Sequence, residues 1–244
     1  MEMTFTYQAY GQMLDMLAAG GYRVAGYQEA TEMPRCVILR HDVDTSLEKA
    51  VEMAEIERGI GVSSTYFVLL TSDFYNALSQ EGRRSVRRIQ ELGHTVGLHF
   101  DETLYPQAQR QALTDAVCQE ADILAQVCGK AVDAVSMHRP SRLMLDGDFR
   151  FPGMVNVYGR TFFRDFKYLS DSRRHWREPV LDIIRSGSYP RLHILTHPFW
   201  YGQKERSLEE AVRSLVNQAN RARYGHLRDN ITRLEDIMTE SEVR

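Results

Sequence analysis

The sequence predicts a single α/β domain in which strands alternate with helices, arranged as a β/α barrel or a doubly wound sheet. Three observations predict it. Strand-like and helical patterns alternate six or seven times along the 244 residues. The run Val37-Ile38-Leu39-Arg40 is apolar or stem-rich throughout, as a buried strand requires. It leads directly into His41-Asp42-Val43-Asp44, and Thr45-Ser46 then opens a helical pattern. In folds of this class, chemistry is placed at the carboxyl ends of the strands.

The elements follow in order. Tyr10, Met13, Leu14 and Leu17 fall at helical spacing within 6–19, and Gly20-Gly21 ends that helix. Residues 35–40 form the first strand. Leu47, Ala50, Val51 and Ala54 make a helical stripe with Gly59 and Gly61 near its end, and a plain cap at Asp44 or Thr45 is the alternative to a functional role for that carboxylate. The β-branched and aromatic run 64–70 is a second strand. A helix over 83–92 stops at Gly93, and 94–100 is a third strand. Pro106 starts a helix that runs through Val127 to Gly129, and 132–137 is a fourth strand. The stretch 141–162 has no clear period and reads as a long functional loop with one short strand at 155–158. Strands at 166–169 and 192–195 flank a short helix at 180–184. Helices fill 205–240, with Leu208, Val212, Leu215 and Val216 on one face and Leu227, Ile231, Leu234 and Ile237 further on. One domain spans 1–244.

Composition narrows the function. Hydrophobic content of 43% with 26% charged residues fits a globular chain and argues against disorder. A net charge of −3 provides no basic surface for nucleic acid. The only basic run, Arg83-Arg84 with Arg87-Arg88, lies at helical spacing and reads as a solvated face. Three cysteines, Cys36, Cys118 and Cys128, contain no C-x-x-C pair, which argues against a disulfide framework and fits a reducing compartment. The start Met1-Glu2-Met3-Thr4 lacks a signal-peptide pattern, and no apolar run approaches the ~20 residues of a membrane span. A cytoplasmic, soluble protein is expected.

Position along the strands sorts the eight histidines. His94 and His99 open and close one strand, roughly 16 Å apart, so they cannot share a site. His193 and His197 separate in the same way. His41, His99, His138 and His197 therefore gather at the edge that holds Asp42 and Asp44, while His175 and His226 face solvent. Such a cluster suits a divalent metal or an acid–base pair. Asp42 and Asp44 are two apart, so an extended backbone aims both the same way, and a cation or an arginine must compensate them. Arg139 precedes Pro140, which favours an extended conformation, and its guanidinium could grip Asp42 or Asp171. Trp176, Trp200 and Tyr201 lie just past strand ends, where flat faces either hold a sugar ring or pack beneath loops.

These residues, in this order, resemble the NodB-type polysaccharide deacetylases, a carbohydrate esterase family. The likeness spans 35–201. Its first motif resembles Arg40-His41-Asp42-Val43-Asp44, with Ser64–Val68 as the companion strand; the second resembles Gly93–His99. The third resembles His138-Arg139-Pro140, the fourth Ser170-Asp171-Ser172 with Trp176, and the fifth Leu195–Pro198. Two departures stand out. Val43 separates acids that are adjacent in the family, and Thr103 stands where the family has a second metal-binding histidine. The third ligand must then come from His138, Asp101 or Glu102.

The resemblance implies a distorted, seven-stranded β/α barrel around a divalent metal, zinc first, with cobalt, nickel or manganese also suited. It implies Asp44, His99 and His138 as ligands and Asp42 as general base. Arg139 would orient Asp42 and in turn be positioned by Asp171, while His197 would protonate the leaving amine. The reaction implied is N-deacetylation of an amino sugar, nucleotide- or lipid-linked, in polysaccharide or glycolipid biosynthesis. A non-sugar amide as substrate, or a non-catalytic saccharide- or partner-binding relative, are the other two readings.

Overall fold

The structure is a computed structural model that describes residues 3–106 and 109–243. The chain divides into two compact units, Met1–Gln203 and Lys204–Arg244.

Among the described residues the first unit is built on eight strands: β1 (Arg23–Val24), β2 (Cys36–Val43), β3 (Thr65–Leu69), β4 (Thr95–Asp101), β5 (Ala134–His138), β6 (Val155–Asn156), β7 (Lys167–Ser170) and β8 (Arg191–Thr196). Every pairing between them is parallel. Seven strands run in the order β6-β5-β4-β3-β2-β8-β7, and β1 pairs with β2 off that path. Among the described residues β6 and β7 do not pair, so the expected seven-stranded distorted barrel is open along that seam.

The curvature of the sheet can be read from one contact. β2 and β5 have β3 and β4 between them, which in a flat sheet would put them roughly 14 Å apart. Yet Arg40 Nη2 on β2 lies 2.5 Å from Ser136 Oγ on β5. The sheet curls until inward-facing side chains of non-neighbouring strands meet. Gly97 on β4 makes room for this, since a Cβ there would lie 2.5 Å from the Phe67 ring.

The helices are α1 (Tyr7–Ala19), α2 (Tyr27–Ala30), α3 (Leu47–Ile60), α4 (Gln80–Glu91), α5 (Arg110–Cys128), α6 (Arg142–Asp146), α7 (Arg160–Arg164) and α8 (Val180–Ser186). The cap of α3 is Ser46, whose Oγ accepts from Lys49 N, rather than Asp44 or Thr45. That frees the Asp44 carboxylate for the rim. The stretch 141–162 is not one loop: it holds β6, within the 155–158 where a short strand is expected, together with α6 and the start of α7, which are too short to show a period. The same brevity hid β1 and α2 from the sequence.

The second unit consists of α9 (Leu208–Asn230) followed by short helical turns. Ser207 and Glu210 form a capping box at its start, and Tyr224 is buried with its hydroxyl donating to Met238 O. Leu208, Val212 and Val216 are exposed. No helix among the described residues is long and apolar enough to cross a membrane.

Candidate active site

Strand alternation decides which residues meet. On β2, Arg40 and Asp42 point into the curl and Asp44 follows on the same side, whereas His41 and Val43 point towards the helices. On β4 and β5, His99, Ser136 and His138 share the inward face.

Asp44 Oδ1 lies 3.1 Å from His99 Nε2 and 3.4 Å from His138 Nδ1, and the two nitrogens are 3.2 Å apart. These three atoms are the one cluster with metal-ligand spacing among the described residues. A tetrahedral ion with bonds of ~2.0–2.1 Å has ligand–ligand edges of about 3.3–3.4 Å, so the triangle matches one face of that polyhedron. Burial works against the Asp44 charge, but hydrogen bonds from His138 and His99, then the charges of His99 and His197, hold its carboxyl well below the usual range. Burial likewise opposes charge on His138, and Asp44 outweighs it and raises the imidazole.

The other two candidates for third ligand are engaged elsewhere. Asp101 Oδ1 accepts from Thr103 N at 3.0 Å and Thr103 Oγ1 at 2.7 Å. Glu102 accepts from the backbone N and the hydroxyl of Ser141. Thr103 itself is exposed.

Asp42 is buried and gripped from its own strand. Arg40 donates Nε to Oδ1 at 2.9 Å and Nη2 to Oδ2 at 2.7 Å. The guanidinium also donates to Ser136 Oγ and to Tyr158 OH at 3.1 Å, and lies over the Tyr158 ring. Burial would raise the Asp42 carboxyl, but the charge of Arg40 and then His99 leave it below its usual value. Asp42 Oδ2 is 3.8 Å from His99 Nε2, which puts the carboxylate beside the three-ligand cluster.

Arg139 is not the partner of Asp42 or of Asp171. It is exposed, it donates to neither of them, and its φ of 55° is left-handed rather than extended. The reason is parity: His138 points inward, so the next residue points away, and the chain turns there towards α6. Asp171, fully buried, serves His197 instead. His197 Nδ1 is 2.6 Å from Asp171 Oδ1, and its backbone N donates to both Asp171 oxygens at 3.1 Å. Nε2 faces Asp44 Oδ2 at 3.8 Å. Burial disfavours charge on this imidazole, but Asp171, then Asp44 and Asp42, push it up to about 9.

His41 also leaves the expected rim cluster. Its Nε2 meets Glu57 Oε1 at 2.9 Å and its Nδ1 meets Thr196 Oγ1 at 2.7 Å, on the helix side of the sheet. Of the aromatic candidates, Tyr201 is fully buried against Phe5 and Tyr10 and presents no face to a ligand. Trp176 is half-buried against the core. Trp200 lines a cavity of about 30 Å³ with Asp42, Asp44, His197 and Phe199. Larger clefts lie elsewhere, one of about 710 Å³ between α3 and α4, but glutamates and arginines line it with no histidine among them, and the metal-ligand cluster is not there.

Arg40, Ser136 and Tyr158 were missed from sequence. Arg40 carried a usable signal, since it shares strand parity with the carboxylate that needed compensation.

The fold and site thus define an open β/α barrel with a carboxylate–imidazole cluster, a buried carboxylate and a carboxylate-backed histidine on one rim. Neither a protein-family model nor a curated protein matches the chain. Solved structures do resemble it. A mutant of a family 4 carbohydrate esterase pseudoenzyme, with restored enzymatic activity, matches at TM-score 0.48 and 16% identity, covering 77% of this chain. The chain spans 64% of that protein, less than two thirds of its length. The catalytic domain of a peptidoglycan N-acetylglucosamine deacetylase from Eubacterium rectale matches at TM-score 0.47 and 17% identity, over 75% of this chain and 83% of that one. A family 4 carbohydrate esterase from Bacillus anthracis matches at TM-score 0.43 and 15% identity, over 83% and 82%.

Proposed function

We propose that this chain is a metal-dependent hydrolase that removes the N-acetyl group from an amino sugar. The observation that carries the reading is the triangle Asp44, His99 and His138, with Asp42 on one side and the His197–Asp171 pair on the other. A divalent cation on those three ligands, zinc by the donor set, would supply Lewis acidity towards an amide carbonyl and a water molecule. Asp42 takes the proton of the attacking water, and Arg40 fixes the direction of its carboxylate. His197 Nε2 delivers a proton to the departing nitrogen, and Asp171 holds the ring in position to do so. Acetate and a free amine are the products. A nucleotide- or lipid-linked sugar in the cytoplasm, used in polysaccharide or glycolipid assembly, is the proposed substrate.

The test is acetate release from a panel of N-acetylated nucleotide sugars and simple amides by zinc-loaded protein. Asp42→Asn is expected to lower the rate by at least roughly 100-fold while still taking up one equivalent at saturating zinc. Equal activity in that variant removes Asp42 as base. A preference for non-sugar amides moves the reading to an amidohydrolase. The second reading is a non-catalytic saccharide binder, favoured by the way Arg40 occupies both oxygens of Asp42. Wild-type protein that takes up no added zinc and releases no acetate decides for it.

A further inference from the structure

Ser136 links the two halves of the candidate site. It sits on the inward face of β5, fully buried, two residues before His138. Its Oγ is 2.5 Å from Arg40 Nη2, 3.1 Å from His99 Nδ1 and 3.4 Å from each oxygen of Asp42.

A serine hydroxyl has one proton to give and two lone pairs to accept with. Arg40 only donates, so it takes one lone pair. The Asp42 carboxylate only accepts, so the hydroxyl proton turns towards it. The second lone pair is then left for His99, which must reach it with an Nδ1–H. With Nδ1 holding its proton, a cation can take the place of the Nε2 proton that reaches Asp44, and the lone pair of Nε2 then serves the point it shares with Asp44 Oδ1 and His138 Nδ1. The opposite assignment, with the serine proton on His99 Nδ1, puts a hydrogen on Nε2 and removes it as a ligand. Only the first one suits a cation on Asp44, His99 and His138.

We propose that Ser136 is a positioning residue that fixes His99 in the Nδ1–H tautomer and couples this metal ligand to the base Asp42. The inference rests on the metal-dependent reading above and goes beyond it: the charge of Asp42 strengthens the hold of His99 on the cation through a hydroxyl, although Asp42 is no ligand. Outer partners of a ligating histidine set its tautomer and basicity, and their loss typically weakens metal affinity 10–100-fold.

The experiment is zinc affinity of the full chain, read by competition with a chromophoric chelator, for wild type, Ser136→Ala, Asp42→Asn and the double variant. Ser136→Ala is expected to weaken zinc binding by roughly 10–100-fold with unchanged far-UV circular dichroism. Asp42→Asn weakens it in the wild-type background and adds nothing in the Ser136→Ala background, because the route between the two is already cut. Ser136→Thr, which keeps the hydroxyl, stays near wild type, as a merely space-filling role for Ser136 does not require. Wild-type affinity in Ser136→Ala, or the same Asp42→Asn effect in both backgrounds, overturns the coupling while leaving the metal centre standing. A wild-type chain that takes up no divalent cation overturns the metal reading and the coupling together. If Ser136→Ala does not fold, Ser136→Cys, of similar size but a weak donor, carries the same outcomes.

Discussion

Arg40 and Asp42 stand two residues apart on one strand and form a two-pronged ion pair of 2.9 and 2.7 Å with the arginine wholly out of solvent. The pair solves a problem created by the fold. A carboxylate under the rim must shed water to sit there, and only a fixed opposite charge with matching geometry offsets that cost. Because both residues share one strand face, the match survives any small shift of neighbouring strands.

Removing the guanidinium should therefore cost both stability and function. Arg40→Met leaves a buried carboxylate without its counter-ion, and a loss of about 3–5 kcal/mol is expected by denaturant titration. Arg40→Lys keeps the charge but not the fork, so it should fold better than Arg40→Met and still lose most acetate release. Arg139→Met should change neither property, since that side chain is exposed and donates to neither Asp42 nor Asp171. Loss of activity in Arg139→Met with a normal melting curve would restore the role that the motif resemblance implies for it.

The contrast between these two arginines shows what was legible in the sequence. Which residues reach the rim follows from where strands end, and Asp42, Asp44, His99, His138 and His197 lie together there. Which side of a strand each occupies, and what it meets, was harder. His41 has the right level and the wrong face. Arg40 finds Ser136 and Tyr158 only because the sheet curls, and curvature leaves no mark in local periodicity. The short elements β1, α2, α6 and α7 leave no mark for a different reason, since five residues or fewer show no period.

The third ligand separates this chain from the motif pattern, and the prediction is direct. His138→Ala should reduce zinc uptake below one equivalent under conditions where wild type saturates, as measured by elemental analysis. Thr103→His, which restores the motif residue, should not rescue it. The turn at Thr103 is held by Asp101, and its side chain is exposed rather than directed at Asp44. Full recovery of binding in the double variant would show that this turn rearranges more freely than its hydrogen bonds suggest.

Acid sensitivity has a separate origin, at the other end of β8. His193 is fully buried, with Nε2 facing Tyr27 OH at 2.9 Å and Nδ1 facing Phe162 O at 3.3 Å. Burial, and next the nearby charge of Arg40, bring its pKa down from 6.5 to about 3. The folded state therefore binds fewer protons than the unfolded state between those values. Stability contributed by the neutral ring is complete above pH 6.5 and is lost as pH falls towards 3, with a limiting slope of about 1.4 kcal/mol per pH unit. His193→Gln should flatten the stability–pH curve between pH 6.5 and 4.5 relative to wild type. Parallel curves for the two proteins would rule out His193 as the source.

The same reasoning, with the sign kept separate, applies to Glu57. This carboxylate on α3 has no exposed surface and accepts from Tyr10 OH at 2.6 Å, Ser64 Oγ at 2.6 Å and Tyr66 OH at 2.7 Å, with His41 Nε2 at 2.9 Å. Burial alone would raise its pKa, but the charge and hydrogen bond of His41, then Ser64 and Tyr10, bring it down from 4.5 to about 2. Its contribution is present above pH 4.5 and disappears as pH falls through 2, below most of the window in which His193 acts. The neighbours also make the site intolerant of an amide. All four donate, so the NH₂ of Glu57→Gln meets donors on at least one side and has nothing to give to. Breaking the pair with His41 in the core should cost about 3–5 kcal/mol. Tyr66→Phe, which removes one neutral donor and leaves three, should cost only about 1 kcal/mol. Because His41 directly precedes Asp42, Glu57→Gln should also reduce acetate release at temperatures where the protein remains folded, whereas Tyr66→Phe should not. Equal stability losses in the two variants would show that the network contributes packing alone and does not depend on the carboxylate charge.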